Sequence, residues 1–214
     1  MELREALYTT RSMRRITGEP IPTEVQARIL DAAIRTPSAG NTQTWRFLLV
    51  DDPASKAELG RMYRECMDQF GRAFYGARTE GALATPDDPE SQRHLRVMRS
   101  SDYLAEHFEQ YLLLFAFGTD DLYSLFPALW NAMLAARGEG VGSTLTRMLA
   151  ARSADVFELL GVPGDEGWQF GACAMFGYPT GRWGLAERAP VEDVTYHNRW
   201  GERLAFDVNG PFYP

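Results

Sequence analysis

The sequence predicts an α+β domain. Three apolar segments, at 45–50, 111–117 and 169–178, have the length and composition of buried strands, and the segments between them repeat apolar residues at helical spacing. The glycine-rich segment at 138–142 follows a predicted helix, not a strand, and no βαβ unit surrounds it. A doubly wound dinucleotide-binding fold is therefore not expected.

A chain of 214 residues with 45% hydrophobic residues can bury a core of its own, and we expect one domain spanning residues 1–214. No apolar run reaches the roughly 18 residues of a membrane span, and the start of the sequence lacks the basic and then apolar pattern of a secretory signal. We therefore expect a cytoplasmic protein without a membrane partner. The net charge of -7 argues against a nucleic-acid partner.

The cysteines and histidines show no catalytic or metal-binding pattern. Cys66 and Cys173 have no spacing typical of zinc sites and are too few for a disulfide framework, so we expect ordinary buried thiols. His94, His107 and His197 have no partner at triad or metal spacing. The sequence therefore predicts no metal site and structural roles for the histidines.

The first forty residues predict two helices. The first covers about residues 2–10. The second begins with Thr23 as its N-cap and should end near Thr36, because Pro37 disfavours helix in the residue before it.

Residues 55–110 predict a helical segment with interruptions. Gly71, Gly76, Gly81 and the polar stretch 85–90 are expected to break it. A long irregular segment in a compact domain is usually functional or mobile, so we expect a lid insertion at about 60–108. Its aromatic residues could stack on an aromatic substrate, although aromatics in helices more often belong to the core. They are Phe70, Phe74, Tyr75, Tyr103 and Tyr111.

The second half of the chain predicts two more helices and an aromatic tail. The helices are expected at 126–137 and 153–160, with Gly161 ending the second. Aromatic side chains near a terminus need a surface to pack on, and the partner subunit of a dimer is one candidate. Those of the tail are Trp200, Phe206, Phe212 and Tyr213.

Three separated patches carry side chains suited to a phosphorylated, flat ligand. In the first, Arg11-Ser12-Met13-Arg14, two arginines flank a hydroxyl and could bind a phosphate bidentately and a polyol; the alternative is a solvated basic loop. In the second, the small residues Pro37, Ser38 and Ala39 let the backbone approach a flat ligand.

Within the second patch, the carboxamides of Asn41 and Gln43 could pair with the edge of a pyrimidine-like ring, and the alternative is an ordinary helix-to-strand connection. The third patch, 138–146, is a glycine-rich turn that ends in Thr144, Leu145 and Thr146. By itself the third patch is weak evidence for a site.

The order of these motifs resembles that of the nitroreductase family of FMN-dependent oxidoreductases, and the resemblance covers most of the chain. The first patch is similar to the family's R-S-x-R motif. The second is similar to P-S-x-x-N-x-Q-P-W at Pro37, Ser38, Asn41, Gln43 and Trp45. The family's closing pattern is similar to Gly177-Tyr178-Pro179, Arg188 before Pro190, and Asn198-Arg199-Trp200-Gly201.

The resemblance implies a central, mostly antiparallel sheet flanked by helices, in a homodimer with a swapped carboxy-terminal tail. It also implies FMN as the cofactor at the dimer interface, NAD(P)H as the electron donor and a small organic acceptor such as a nitroaromatic or a quinone. Because the flavin carries such chemistry, no catalytic side chain is implied.

The resemblance also implies a role for each patch. Arg11, Ser12 and Arg14 would contact the phosphate, ribityl chain and pyrimidine edge of FMN, and Arg188 would close on the phosphate. Arg14 is the residue we expect beside N1 and C2=O of the ring. The backbone of 144–146 would lie under the ring near N5, and residues 37–41 would reach the flavin of the other subunit.

Two departures from the family pattern affect these expectations. Thr44 stands where the family usually has proline, and Ala186 stands where many members carry a lysine for the phosphate. FMN would then be held less tightly, with Arg182 as a possible helper. Two alternatives stay open: a flavin-sequestering or redox-sensing protein without turnover, and a flavoenzyme with one dedicated substrate, of the dehalogenase or dimethylbenzimidazole synthase type.

Overall fold

The computed structural model describes residues 1–208 and 210, and it divides the chain into two compact units. One comprises Met1–Arg11 and Trp183–Pro214, and we call it the terminal unit. The other, Ser12–Arg182, is the central unit. That residues 1–214 form one domain with a lid insertion at about 60–108 stays a prediction.

The central unit is built on a four-stranded sheet. Its strands are β1 (Trp45–Val50), β2 (Leu112–Gly118), β3 (Gly142–Thr146) and β4 (Gln169–Gly177), in the order β1-β2-β4-β3. All three pairings are antiparallel. The α+β class and the three strands predicted from the sequence are therefore confirmed.

Strand β3 was not predicted. The expectation of a glycine-rich turn through residue 146 is wrong, because the turn ends at Val141 and β3 follows. The segment GSTLT has no apolar alternation because it forms one edge of the sheet, where β4 is its only neighbouring strand among the described residues. Composition therefore indicated the turn and not the strand.

Six helices of the central unit pack on the sheet or extend beside it. They are α2 (Thr23–Ala33), α3 (Pro53–Cys66), α4 (Arg72–Ala84), α5 (Pro89–Glu106), α6 (Leu125–Gly138) and α7 (Ser153–Leu160). Helix α1 (Leu3–Thr9) lies in the terminal unit. Among the residues that the structure describes, no helix combines the length and apolar character needed to cross a bilayer.

Two details of the helix prediction are wrong. Thr23 is the first residue of α2, and Pro22 occupies the cap position without a side-chain bond. Gly76 and Gly81 do not break the helical segment but lie inside α4. The break that does occur, at residues 85–88, falls in the predicted polar stretch. Gly161 ends α7 in a left-handed conformation as expected.

The two faces of the sheet bury two separate apolar clusters. Along β2, Leu113, Phe115 and Phe117 belong to the cluster that includes residues of α3, α5 and α7. The alternating residues Leu114 and Ala116 belong to the cluster with α2 and α6. Both faces of β2 are therefore buried, which explains its continuous apolar sequence.

A β-bulge at Gly171 allows β4 to pack closely against its neighbours. The register with β2 shifts because Ala116 pairs with Ala172 and Phe117 with Phe170, which leaves Gly171 as the extra residue. A Cβ atom at this position would lie 2.4 Å from Cδ1 of Leu125 and 2.8 Å from the carbonyl oxygen of Ala116. Only glycine fits here without a shift of the backbone.

Gly171→Ala is therefore expected to lower the free energy of unfolding by about 1 to 3 kcal/mol, because the added methyl group overlaps backbone and side-chain atoms. Chemical denaturation measures the change. Gly164→Ala is the matched control, since no atom lies within 4 Å of the Cβ that it would add. Equal losses of stability in both variants would contradict the packing argument.

Candidate active site

A cavity of about 500 Å³ lies in the central unit between β3 and helices α3 to α5. We call it the β3 cavity. Its volume is within the range of small-molecule sites. The residues that line it are Arg14, Tyr63, Met67, Phe70, Phe74, Tyr75, Val97, Met98, Ser101, Leu104, Thr144, Leu145, Thr146, Arg147, Met148 and Ala151.

One wall of the β3 cavity is the free edge of the sheet. The carbonyl oxygen of Ser143 accepts a hydrogen bond from the Met13 amide at 2.9 Å, so it faces away from β4. Peptide groups alternate in direction along a strand, and the N–H and C=O of Leu145 therefore face the same outer side. No strand among the described residues pairs with this edge at Leu145, which also lines the cavity. An amide donor is thus available at the cavity wall.

The hydrogen bond at Ser143 also places Arg14 beside that edge. Arg14 is partly buried and lines the cavity next to residues 144–146. Its carbonyl oxygen accepts a hydrogen bond from the hydroxyl of Tyr111, whose side chain is fully buried. Burial raises the pKa of Tyr111 far above its ordinary value, so this hydroxyl remains a donor. The structure therefore brings the first and third sequence patches together.

The opposite wall belongs to the predicted lid segment. A π-helical turn, Met67–Gly71, joins α3 to α4, and both Met67 and Phe70 line the cavity. Such turns are frequent at functional sites because they redirect side chains. Phe74 and Tyr75 of α4 also line it.

Tyr103 and Tyr111 do not line the β3 cavity, and Tyr111 belongs to the core, which was the alternative expected from the sequence for these aromatic residues. The ring of Tyr103 stacks on the ring of His107, with centroids 3.9 Å apart. The guanidinium carbon of Arg15 lies 4.4 Å from the centroid of the Tyr103 ring. Tyr111 is held in the core by its hydrogen bond to the Arg14 carbonyl. Both rings therefore support the segment that carries Arg14.

The charged side chains described along the cavity wall are Arg14 and Arg147, and no described carboxylate lines it. Arg147 donates from Nε to the carbonyl oxygen of Gly171 at 2.9 Å, which fixes its side chain. The remaining surface is largely apolar and aromatic. The cavity therefore suits a flat apolar molecule that carries acceptor oxygens or negative charge.

The second patch forms a strained, exposed turn. Asn41 and Gln43 have φ values of 54° and 51°, which non-glycine residues rarely adopt. Each such residue costs about 1 to 3 kcal/mol, and strain of this kind clusters at functional sites. The Gln43 amide donates to the hydroxyl of Ser38 at 3.1 Å, and the Gln43 carboxamide donates to that of Asn41 at 3.2 Å.

This turn lines no part of the β3 cavity within its own chain. Pro37, Ala39, Asn41 and Gln43 are exposed, and Ser38 is partly buried. The second patch is therefore on the surface, with its two carboxamides bonded to each other.

The remaining predicted site residues are divided between the two units, and all but one of them are exposed. Arg11 and Arg188 belong to the terminal unit, and both are exposed. The Arg188 guanidinium donates to the carbonyl oxygen of Glu187 at 2.8 Å. In the central unit, Ser12 is exposed and forms a parallel bridge with Ser143, whereas Met13 is buried.

Sequence reasoning missed three polar residues of the cavity, Ser101, Arg147 and Tyr63. Tyr63 is the most buried of them. Its side chain is 5% exposed and its ring packs on Phe108, with centroids 4.9 Å apart, yet it lines the cavity. Its hydroxyl lies 3.5 Å from Oγ1 of Thr146. Tyr63 follows Leu59 by one helical turn, and this spacing is typical of core residues, so the pattern concealed its polar end.

The cysteines and histidines have structural surroundings. Cys66 and Cys173 are free and buried, as predicted, and burial raises the pKa of both thiols. His94 is buried and its Nε2 lies 2.9 Å from the hydroxyl of Thr79. His107 contacts the carbonyl oxygen of Tyr103 at 2.9 Å through Nδ1. Among the described residues, no group of histidine, cysteine and acidic side chains could hold a metal ion.

Comparisons with known proteins agree on a family. The model of the nitroreductase family matches residues 7–178. A 5,6-dimethylbenzimidazole synthase of Rhodospirillum rubrum is 30% identical over 214 aligned residues, which cover 94% of this chain and 87% of that protein. An NADH dehydrogenase of Thermus thermophilus is 42% identical over 59 residues, which are 28% of this chain and 29% of that protein.

A solved structure shows the same fold. The nitroreductase of Desulfitobacterium hafniense, which was crystallised with bound FMN, superposes with a TM-score of 0.67. The superposition covers 92% of this chain and 100% of that one, at 18% sequence identity. The sheet and helices described above are thus those of a nitroreductase fold.

Proposed function

Because this chain belongs to the nitroreductase family, we propose that it binds FMN and transfers electrons from NADH or NADPH to a small organic acceptor such as a nitroaromatic or a quinone. The observation that carries the proposal is the meeting of Arg14 with the free edge of β3 on one wall of an apolar cavity. The FMN in the Desulfitobacterium hafniense structure and the name of the Thermus thermophilus relative support the cofactor and the donor.

The residues of the β3 cavity fit a flavin ring. The ring needs flat apolar walls, a hydrogen-bond donor for N5 and a positive charge near N1 and C2=O. The lid segment supplies apolar side chains, the free edge at Leu145 supplies an amide, and Arg14 supplies the charge. FMN, when bound, accepts a hydride from a reduced nicotinamide and passes electrons to the acceptor.

We assign three tasks to the chain's own residues. The amide of Leu145, between Thr144 and Thr146, orients the ring, and Arg14 stabilises the negative charge that develops on reduction. The apolar and aromatic side chains of the lid segment that line the cavity cover it and exclude water; they are Met67, Phe70, Phe74, Tyr75, Val97, Met98 and Leu104. None of these tasks requires a side chain that accepts or donates a proton.

The phosphate end of FMN is assigned from the motif resemblance. Arg11 and Ser12 of the first patch and Arg188 are the proposed ligands, since guanidinium groups bind phosphate oxygens bidentately. Ala186 cannot supply the charge of the lysine that many relatives carry, and Arg182 is the proposed substitute. We therefore expect FMN to dissociate more readily than from relatives that carry the lysine.

The exposed turn at 37–43 supports a homodimer. The turn is strained, and it lines no part of the cavity in its own chain. The flavin whose pyrimidine edge it would bind is therefore the one in the second subunit. Large apolar side chains are also exposed, among them Phe74 at 81% and Trp200 at 91%. A tail that wraps the partner would cover Trp200 and Phe206; the other tail aromatics, Phe212 and Tyr213, lie outside the described residues.

A second candidate function is a synthase of the 5,6-dimethylbenzimidazole type, which the Rhodospirillum rubrum relative favours because it aligns along 94% of the chain. Such an enzyme consumes its flavin, whereas a reductase recycles it. Reduced FMN supplied under oxygen would yield 5,6-dimethylbenzimidazole only in the synthase. A flavin-sequestering or redox-sensing protein would give neither product nor turnover.

We predict that the purified protein is yellow, releases FMN and not FAD on denaturation, and oxidises NADH or NADPH when a quinone or nitroaromatic is added. Absorbance at the flavin bands, chromatography of the released cofactor and nicotinamide oxidation measure these properties. A protein that stays colourless with added FMN would contradict the proposal, and bound FMN that neither nicotinamide reduces would indicate a different donor or a sequestering role.

The roles of two arginines are expected to separate. Arg188→Ala should weaken FMN binding roughly ten- to a hundredfold, because one charged hydrogen-bond partner of a phosphate contributes about 1.5 to 3 kcal/mol. Arg14→Ala should bind oxidised FMN with a smaller loss, but its flavin should be reduced more slowly and at a lower potential. The affinity is measured by titration of each variant with FMN. The rate of flavin reduction by NADPH is measured by stopped flow with FMN saturating.

Arg35→Ala is the control for the loss of an arginine, because that side chain is exposed, does not line the cavity and forms its described ion pair with Asp31 of α2. It should leave affinity and reduction rate unchanged. If the Arg14 and Arg188 variants lose affinity equally and keep the wild-type potential, Arg14 is only a phosphate ligand and the assigned roles are wrong.

The holoprotein should sediment as a homodimer. Truncation after Gly201 should weaken the dimer, because the proposed wrapping segment is removed. Equilibrium sedimentation of both forms measures this. A monomeric holoprotein would contradict the dimer, and an unchanged dimer after truncation would contradict the wrapping.

A further inference from the structure

We propose that the hydroxyl of Tyr63 donates a hydrogen bond to an oxygen of the acceptor bound in the β3 cavity, and that it thereby selects planar aromatic acceptors that carry a carbonyl or nitro oxygen. This inference rests on the proposed function and names the residue that sets its substrate class. Tyr63 lies on α3, outside all three sequence patches.

The position of the Tyr63 ring is fixed by the core. The side chain is 5% exposed and belongs to the apolar cluster that contains Phe108 and Leu59. Its ring packs at 4.9 Å on Phe108. A phenol held this way has lost its rotational freedom before a ligand arrives, so the hydrogen bond that it makes costs little further entropy.

The local hydrogen bonds set the direction in which Tyr63 can donate. The Met148 amide donates to Oγ1 of Thr146 at 3.1 Å, and a peptide N–H can only donate. The Thr146 hydroxyl in turn donates to the Tyr63 oxygen, 3.5 Å away, at the outer limit of hydrogen bonding. Tyr63 therefore acts as the acceptor in its described contact.

The hydrogen of the Tyr63 hydroxyl consequently has no acceptor among the described residues, although the group is buried at the cavity wall. A buried donor without an acceptor is unfavourable, and a ligand oxygen would satisfy it. Burial raises the pKa of Tyr63, an effect that the positive charge of Arg14 partly opposes. The hydroxyl therefore stays protonated and available as a donor at neutral pH.

The chemistry of the other wall residues decides what the ligand can be. No described carboxylate lines the cavity, so the ammonium group of an amino-acid substrate would find no partner. The apolar and aromatic side chains favour a flat ring. A ring with one or two acceptor oxygens satisfies both these walls and the Tyr63 donor.

Tyr63→Phe tests the donor without changing the shape of the ring. The FMN-loaded protein is titrated calorimetrically with nitrobenzene, which carries acceptor oxygens, and with chlorobenzene, which has a similar size and none. The variant should bind nitrobenzene roughly two- to tenfold more weakly than the wild type, the range expected for one neutral hydrogen bond. Its affinity for chlorobenzene should not change.

Tyr123→Phe is the matched control, since that tyrosine is 87% exposed and does not line the cavity. It should bind both ligands as the wild type does. The thermal transition and FMN content of each variant show whether it is folded. Equal changes for the two ligands in Tyr63→Phe, no change for either, or no nitrobenzene binding by the wild type would overturn the proposal.

Reduction of the bound flavin by NADPH is measured in the same preparations. If the wild-type flavin is reduced normally and Tyr63→Phe changes the affinity for both ligands equally or for neither, only the role of Tyr63 is refuted. Loss of reduction in the wild type would instead refute the proposed function, whatever the ligands show.

Discussion

The backbone hydrogen bond from the Met13 amide to the Ser143 carbonyl, 2.9 Å long, determines the composition of the site. It attaches the first sequence patch to the edge of β3 and brings Arg14 to the cavity wall. It also leaves the Leu145 peptide on the same edge without a strand beside it among the described residues. A cation and an amide donor thus meet beside an apolar space, which is the combination that a flavin ring requires.

The core keeps these groups in position from behind. Tyr111, which directly precedes β2, donates its buried hydroxyl to the Arg14 carbonyl. The bulge at Gly171 presents a carbonyl oxygen that fixes the side chain of Arg147. Because one support directly precedes the buried strand β2 and the other lies in the buried strand β4, the polar groups of the site rest on the core.

The sequence predicted the elements whose signals are local. The strands β2 and β4 are apolar runs because they are buried, and β1 is apolar except at Arg46, although only its two end residues are buried. Helix α7 ends at a glycine that its cap requires. It failed at β3, where Gly142 and Ser143 read as a turn because an edge strand needs no apolar alternation. It also failed at Tyr63, because helical spacing indicates burial but not where a buried hydroxyl points. The role of Arg14 was expected from the motif resemblance alone. Its position beside β3 depends on a contact between residues far apart in the chain, which the sequence does not show.

Amide hydrogen exchange of the protein with and without FMN tests the central claim most directly. The account predicts slower deuterium uptake on FMN binding in the peptide that contains Leu145, because the free edge of β3 gains a hydrogen-bond partner and loses contact with water. The peptide that contains Gly164, which is not among the lining residues, should exchange at the same rate in both states. FMN binding that leaves exchange at Leu145 unchanged would contradict the account.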